Sequence, residues 1–246
     1  MNDFKKQRYS EKFTVKTYEV DFLRRITPFA ILGYMQEVAT NHAFTLGLGY
    51  EESYKNNFIW VLRSAKFEFK SIPLLKDKIE VYTWPVGVSG LKAMRRFEFR
   101  MDDKVIGSGY NYWLMIDIIK NKPVIADYFN LKMKDIPIYK NDSFKLRKII
   151  CPKETLFSYD KIIMNSDIDW NRHVNNVKYA DIIFNAIPIN IIENYNIISF
   201  HIDYIKECRL NDLIHVLYIT KDNQLYVKGI RENDIVFQAV MDLNTR

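Results

Sequence analysis

The same strand-to-helix entry is written twice in this chain, and nothing else in the sequence restricts its fold as much. Asp21-Phe22-Leu23-Arg24-Arg25-Ile26-Thr27 can be laid over Asp169-Trp170-Asn171-Arg172-His173-Val174-Asn175. An acid, an aromatic, an arginine, a β-branched residue and a helix capper fall in matching places. Each copy follows a candidate strand, Lys12–Val20 or Leu156–Asn165. Thr27-Pro28 pairs an N-cap oxygen with a proline at the first helical position, which predicts a helix over Phe29–Leu46 closed by Gly47 and Gly49. Asn175 predicts a cap for a second helix running to about Ala186, ended by Pro188.

Strands follow each helix. Residues 66–70, 79–84 and 96–101 alternate apolar and polar, Asp102-Asp103 reads as a hairpin turn, and Val105–Ile118 returns. The second copy predicts strands at Asn196–Glu207, Leu213–Thr220, Gln224–Ile230 and Asp234–Leu243, with turns at Asp222-Asn223 and Asn233-Asp234. A strand, a helix and then antiparallel strands make an α+β layout. Each sheet would curl around its helix, and two copies side by side could share one sheet. Residues 121–151 are Lys-rich, contain Pro123 and Pro137, and read as the crossover between halves.

The two copies differ in chemistry. Leu23 stands where the second has Asn171, and Arg25 where it has His173, so the first copy lacks the reactive groups. The second packs Asp167, Asp169, Asn171, His173, Asn175 and Asn176 together at a helix start, a density of polar groups that is costly to bury unless they satisfy one another. Free N–H groups at that helix start would suit a developing oxyanion. His42, His201 and His215 lie in helix or strand patterns and read as structural, and Tyr179 as a packing residue.

Composition narrows the classes. A chain of 246 residues with 48% hydrophobic and 15% aromatic content is not disordered. No apolar run is long enough to span a bilayer, and the start Met1-Asn2-Asp3-Phe4-Lys5-Lys6 has no apolar signal core, so a cytoplasmic location is expected. Two cysteines, Cys151 and Cys208, point to reduced thiols, and the absence of paired Cys or His spacings to no metal. The net charge of +6 suits an acidic partner. Its dispersed basic residues argue against nucleic acid, and Arg24, Arg25, Arg63, Arg95, Arg96 and Arg172 are docking candidates.

The segment Asp169-x-Asn171-x-His173-Val174-Asn175-Asn176-Val177-Lys178-Tyr179, with Tyr204-Ile205-Lys206-Glu207-Cys208 downstream, resembles the signature of acyl-acyl carrier protein thioesterases of plant and bacterial type. Trp60-Val61-Leu62 and Trp84-Pro85 extend the resemblance into the first half. It implies a tandem (double) hot-dog: two long helices, each wrapped by antiparallel sheet. The expected division is an N-terminal hot-dog with the acyl-chain pocket (1–120), a crossover (121–151) and a catalytic C-terminal hot-dog (152–246).

The implied activity is hydrolysis of a fatty acyl thioester on acidic acyl carrier protein, in fatty acid biosynthesis, without a cofactor. Such a chain is compatible with a homodimer. The alternatives are an acyl-coenzyme A thioesterase of the same fold and a non-catalytic acyl-binding protein. Asp169, Asn171, His173 and Glu207 are the expected catalytic set, with Cys208 as alternative nucleophile. Asp169 would hold Asn171 or His173 or polarise the attacking water, or serve as a turn acceptor. Glu207 is preferred to Cys208, because neighbours on a strand point to opposite faces and a carboxylate at depth demands partners. Asn175, Phe29, Met35 and Trp60 are the expected substrate-binding residues, with Phe44, Phe67, Phe97 and Met101 as further tunnel candidates.

Overall fold

The computed structural model describes residues 8–124 and 146–246. The first half runs β1 (Tyr9–Thr14), α1 (Pro28–Thr45), α2 (Tyr50–Lys55), β2 (Phe58–Phe69), β3 (Lys78–Ser89), β4 (Lys92–Met101), β5 (Lys104–Asp117) and the two-residue β6 (Lys122–Pro123). The second runs β7 (Leu156–Ile162), α3 (Lys178–Asn185), α4 (Ile189–Asn194), β8 (Tyr195–Tyr204), β9 (Leu213–Lys221), β10 (Gln224–Arg231) and β11 (Asp234–Thr245).

All the strands join one sheet in the order β1-β3-β4-β5-β2-β8-β11-β10-β9-β7, with β6 paired to β5. Read inward from its own edge, each half has the same topology: β1-β3-β4-β5-β2 and β7-β9-β10-β11-β8. The halves meet where β2 pairs antiparallel with β8, from Ser64↔Asp203 to Glu68↔Ser199. This is a tandem hot-dog with a shared sheet, and the duplication read from the two loops extends through every main strand.

Alternation along the seam sorts its side chains. Phe67 and Phe200, both essentially unexposed, stack on one face at 5.5 Å. Burying side chains of this size stabilises by about 1.5–3 kcal/mol each. The opposite face carries Ser64, Lys66 and Glu68 beside Ser199, His201 and Asp203, two runs of one pattern. Ser64 Oγ lies 2.9 Å from His201 Nε2, and the Ile149 N–H donates to Asp203 Oδ2 at 2.9 Å. The end of the expected crossover is thereby fastened to β8. The rest of that crossover, 125–145, lies outside the described residues.

Several expectations need correction. The helices are unequal: α1 has 18 residues and α3 only 8. The second helix begins at Lys178, because Asn175 first makes a turn in which its carbonyl accepts from the Lys178 N–H at 2.8 Å. The strands expected to reach Val20 and Asn165 end at Thr14 and Ile162, and 3-10 turns at Thr17–Glu19 and Asn165–Asp167 follow. Glu19 Oε2 accepts from the Lys16 N–H and the Tyr34 hydroxyl, which bends the chain there. The last hairpin turns at Glu232-Asn233, with Glu232 at φ 56°, one residue before the expected position. Neither α2 nor α4 was foreseen, since six residues do not establish a helical period. No helix among the described residues is long and apolar enough to cross a membrane.

Candidate active site

The two matching loops are built on the same hydrogen bonds. Asp21 Oδ1 accepts from the N–H groups of Leu23 and Arg25, both at 2.9 Å. Asp169 Oδ1 accepts from those of Asn171 at 2.8 Å and His173 at 3.3 Å. The Asp21 N–H donates to the Arg25 carbonyl and the Asp169 N–H to the His173 carbonyl, both at 2.8 Å. Arg24 and Arg172 both have φ 64°. That left-handed geometry is unfavourable for a side chain with a Cβ, and the aspartate's two acceptor bonds hold the turn around it. The recurring acid is therefore a loop organiser. Asp169 Oδ1 thereby fills the turn-acceptor role.

What the loop presents differs between copies. Arg25, only 8% exposed, donates through Nε to Asp21 Oδ2, through Nη1 to the Tyr195 carbonyl and Asn196 Oδ1, and through Nη2 to the Ile192 carbonyl. The first loop is thus fastened to α4 and the start of β8. Only a small depression remains there, lined by Asp21, Arg25, Ile72, Phe184 and Ile197 among others. Arg25 is a clamp between halves and not a docking cation.

In the second copy His173 Nε2 lies 3.2 Å from Glu207 Oε2, and both side chains reach solvent, at 30% and 51% exposure. Glu207 is not on a strand as expected. β8 stops at Tyr204, and the Ile205 and Lys206 N–H groups both turn to the Val236 carbonyl. The next residues swing back toward the loop, where the Val174 N–H donates to the Cys208 carbonyl at 2.9 Å. The first copy repeats that tie as Ile26 N–H to the Pro73 carbonyl, also 2.9 Å. Ile72 therefore matches Glu207 and Pro73 matches Cys208. The carboxylate, like the imidazole, is peculiar to the second copy.

Cys208 has no exposed surface. Burial pushes its thiol pKa up, against a hydrogen bond from Tyr179 that lowers it. Tyr179 is itself buried and packs edge-on against Tyr204 and Phe237. The Tyr204 hydroxyl donates to the Asn176 carbonyl at 3.1 Å, which ties the end of β8 to the start of α3.

The remaining expected residues are dispersed. Asn171 is exposed at the lip, and its side chain makes no hydrogen bond to His173. Asn175 Oδ1 accepts from the Val177 N–H at 3.0 Å, so Asn175 occupies two of the helix-start donors, Val177 and Lys178. Phe29 lies under the Lys178 ammonium, 5.1 Å from its ring centre. Met35 is 1% exposed, in the core of the first half, and Trp60 sits on β2 opposite Met115.

Sequence reasoning missed Tyr50, whose ring meets Trp170 at 3.8 Å and lays α2 of the first half over the second loop. No local pattern connects those two residues. Arg95 also departs from expectation: it bonds His42 Nδ1 at 3.0 Å and Thr83 at 3.2 Å, and burial lowers its pKa to about 10. Arg24 and Arg172 are exposed at the two loops.

Residues 6–128 match the acyl-ACP thioesterase N-terminal domain family, and residues 157–240 match the acyl-ACP thioesterase C-terminal domain family. Over 227 residues the chain is 28% identical to the palmitoyl-acyl carrier protein thioesterase, chloroplastic, of Arabidopsis thaliana, covering 85% of this chain and 54% of that protein. It is 28% identical over 238 residues to the dodecanoyl-[acyl-carrier-protein] hydrolase, chloroplastic, of Cinnamomum camphora, covering 85% and 58%. The chain spans little more than half the length of these curated relatives. Its fold matches an acyl-ACP thioesterase from Bacteroides thetaiotaomicron with a TM-score of 0.82 at 23% identity, covering 99% of this chain and all of the other. It also matches the 12:0-ACP thioesterase of Umbellularia californica, with a TM-score of 0.83 at 21% identity and coverages of 97% and 98%. With both family domains matched in order across most of its length, the chain belongs to the acyl-ACP thioesterase family.

Proposed function

We propose that this chain hydrolyses the thioester between a fatty acyl group and acyl carrier protein, releasing the free fatty acid. The observation that carries this reading is the His173–Glu207 contact at 3.2 Å, on a loop whose first-half twin has Arg25 and Ile72 instead. The relatives named above supply the substrate class through their names.

Glu207 is the general base in this reading. Its carboxylate takes a proton from water as the water oxygen attacks the thioester carbonyl carbon. The carbon–sulfur bond then breaks. The proton passes through the Glu207–His173 contact to the leaving sulfur. Asn171, exposed at the lip, offers its side-chain amide to the developing oxyanion, since Asn175 already occupies the Val177 and Lys178 donors. Cys208 does not attack in this reading: it is buried, and that burial pushes its thiol pKa up.

The catalytic unit is then 152–246, and 1–120 takes the acyl tail, with Phe29 at its entrance and Met35 and Trp60 further in. Arg24 and Arg172 meet the acidic carrier.

The test is thiol release from a panel of acyl carrier protein and coenzyme A thioesters, wild type beside His173→Ala. Carrier-protein turnover that disappears with His173 supports the reading. Preference for coenzyme A thioesters would change the carrier, and acyl binding without turnover on either would make the protein a binder.

A further inference from the structure

Glu207 leaves the sheet before it reaches the site, so strand geometry does not aim its carboxylate. Two backbone ties flank it. One is the bond from Val174 to the Cys208 carbonyl, which the first copy shares. The other is not shared: Arg231 Nη1 donates to the Glu207 carbonyl at 2.9 Å while also pairing with Asp212.

Strand register identifies the counterpart of Arg231. Gly229↔Phe237 and Arg231↔Asp234 in the β10–β11 hairpin match Phe99↔Gly107 and Met101↔Lys104 in the β4–β5 hairpin. Met101 therefore stands where Arg231 stands. Other ties of this corner occur in both copies. Asp212 Oδ2 accepts from the Arg209 N–H and Asp77 Oδ2 from the Leu74 N–H, both at 2.8 Å. Asn211 and Lys76 share a left-handed backbone, with φ 70° and 73°. The corner folds in the first half with no arginine, so Arg231 is not needed to make the turn. It accompanies the carboxylate: Glu207 with Arg231 in one copy, Ile72 with Met101 in the other.

We propose that Arg231 is a positioning residue for Glu207, holding the Glu207 peptide so that its carboxylate stays against His173. This rests on the reading of Glu207 as the general base. Asp212 anchors the guanidinium, and the guanidinium fixes the carbonyl one residue before the Val174–Cys208 tie. With both carbonyls held, the peptide cannot rotate and carry the side chain into solvent.

The experiment compares wild type, Arg231→Met, Arg231→Lys and Glu207→Gln for turnover of palmitoyl- and dodecanoyl-acyl carrier protein. The His173 ring signals are followed in parallel by NMR. Arg231→Met, which installs the first copy's residue, is expected to lower kcat about ten- to a hundredfold, as a misplaced catalytic group does, with KM within about twofold. Arg231→Lys, which keeps a donor but not the fork, should recover part of that loss. The His173 signals in Arg231→Met should move as they do in Glu207→Gln. Wild-type kcat and unmoved His173 signals in Arg231→Met, beside an inactive Glu207→Gln, would overturn the proposal and leave the base reading intact. An active Glu207→Gln would instead overturn the base reading. The NMR comparison then still decides whether Arg231 holds Glu207, and Arg231→Lys serves if Arg231→Met fails to fold.

Discussion

Arg25 and His173 occupy the same position in two loops with the same hydrogen-bond frame, yet Arg25 is sealed by bonds to the second half while His173 faces Glu207 at the surface. One duplicated turn thus presents a buried clamp in one half and a solvent-reaching imidazole–carboxylate contact in the other. The frame itself, an aspartate accepting two backbone N–H groups, is indifferent to which it presents.

The Arg25 clamp predicts a large stability effect. Arg25→Ala leaves the Asp21 carboxylate, only 6% exposed, without its cation, and leaves the Ile192 and Tyr195 carbonyls without their donor. Breaking a buried pair by removing one partner costs about 3–5 kcal/mol. Urea unfolding of the variant should show that loss. A change below about 0.5 kcal/mol would mean that the clamp does not hold the halves together.

Asp169 predicts a split between two substitutions. Asp169→Asn keeps the Oδ1 acceptor for the Asn171 and His173 N–H groups, so kcat should stay within about fivefold of wild type, far short of the loss of a general base. Asp169→Ala removes the acceptor and should lower both kcat and thermal stability. If the Asn variant were as inactive as the Ala variant, the charge would matter and Asp169 would belong to the chemistry.

Cys208→Ala should retain most of the turnover, at a stability cost of about 1 kcal/mol for a small core truncation. Steady-state thiol release from an acyl thioester checks it. A dead but folded variant would restore Cys208 as nucleophile.

Buried phenols predict alkaline lability. Burial raises the pKa of Tyr34, Tyr159, Tyr179 and Tyr204 above the ordinary 10.0, with the Glu19 bond adding at Tyr34. In the unfolded chain these groups ionise near pH 10, whereas the folded chain keeps them neutral. Their contribution to stability is whole below about pH 10 and is lost as pH rises beyond it. The urea midpoint should fall most steeply between pH 10 and 11. A midpoint unchanged at pH 11 would contradict the assignment.

The repeat could be read from the sequence because its signals are local. Thr27-Pro28 gave a helix start within one residue, and Asp102-Asp103 and Asp222-Asn223 gave hairpin turns that have positive φ in the structure. His173 and Glu207 were nominated by residue type and by resemblance, and the fold brings them together. What could not be read depends on contacts distant in sequence. Nothing near Arg25 announces Ile192 or Tyr195 as its acceptors. Alternation through Tyr204 gives no sign that Ile205 and Lys206 both turn to Val236, so the pattern overstates the length of the strand. Tyr50 meets Trp170 only because α2 reaches across from the other half.

The central claim is that the second loop hydrolyses acyl thioesters through His173 and Glu207. Its most direct test is single-turnover thiol release from palmitoyl- and dodecanoyl-acyl carrier protein by wild type, Glu207→Gln and His173→Ala, each with a melting curve. The account predicts losses of about 10²–10⁴-fold for both variants with melting temperatures near wild type. A Glu207→Gln protein that releases thiol within about threefold of wild type would contradict it.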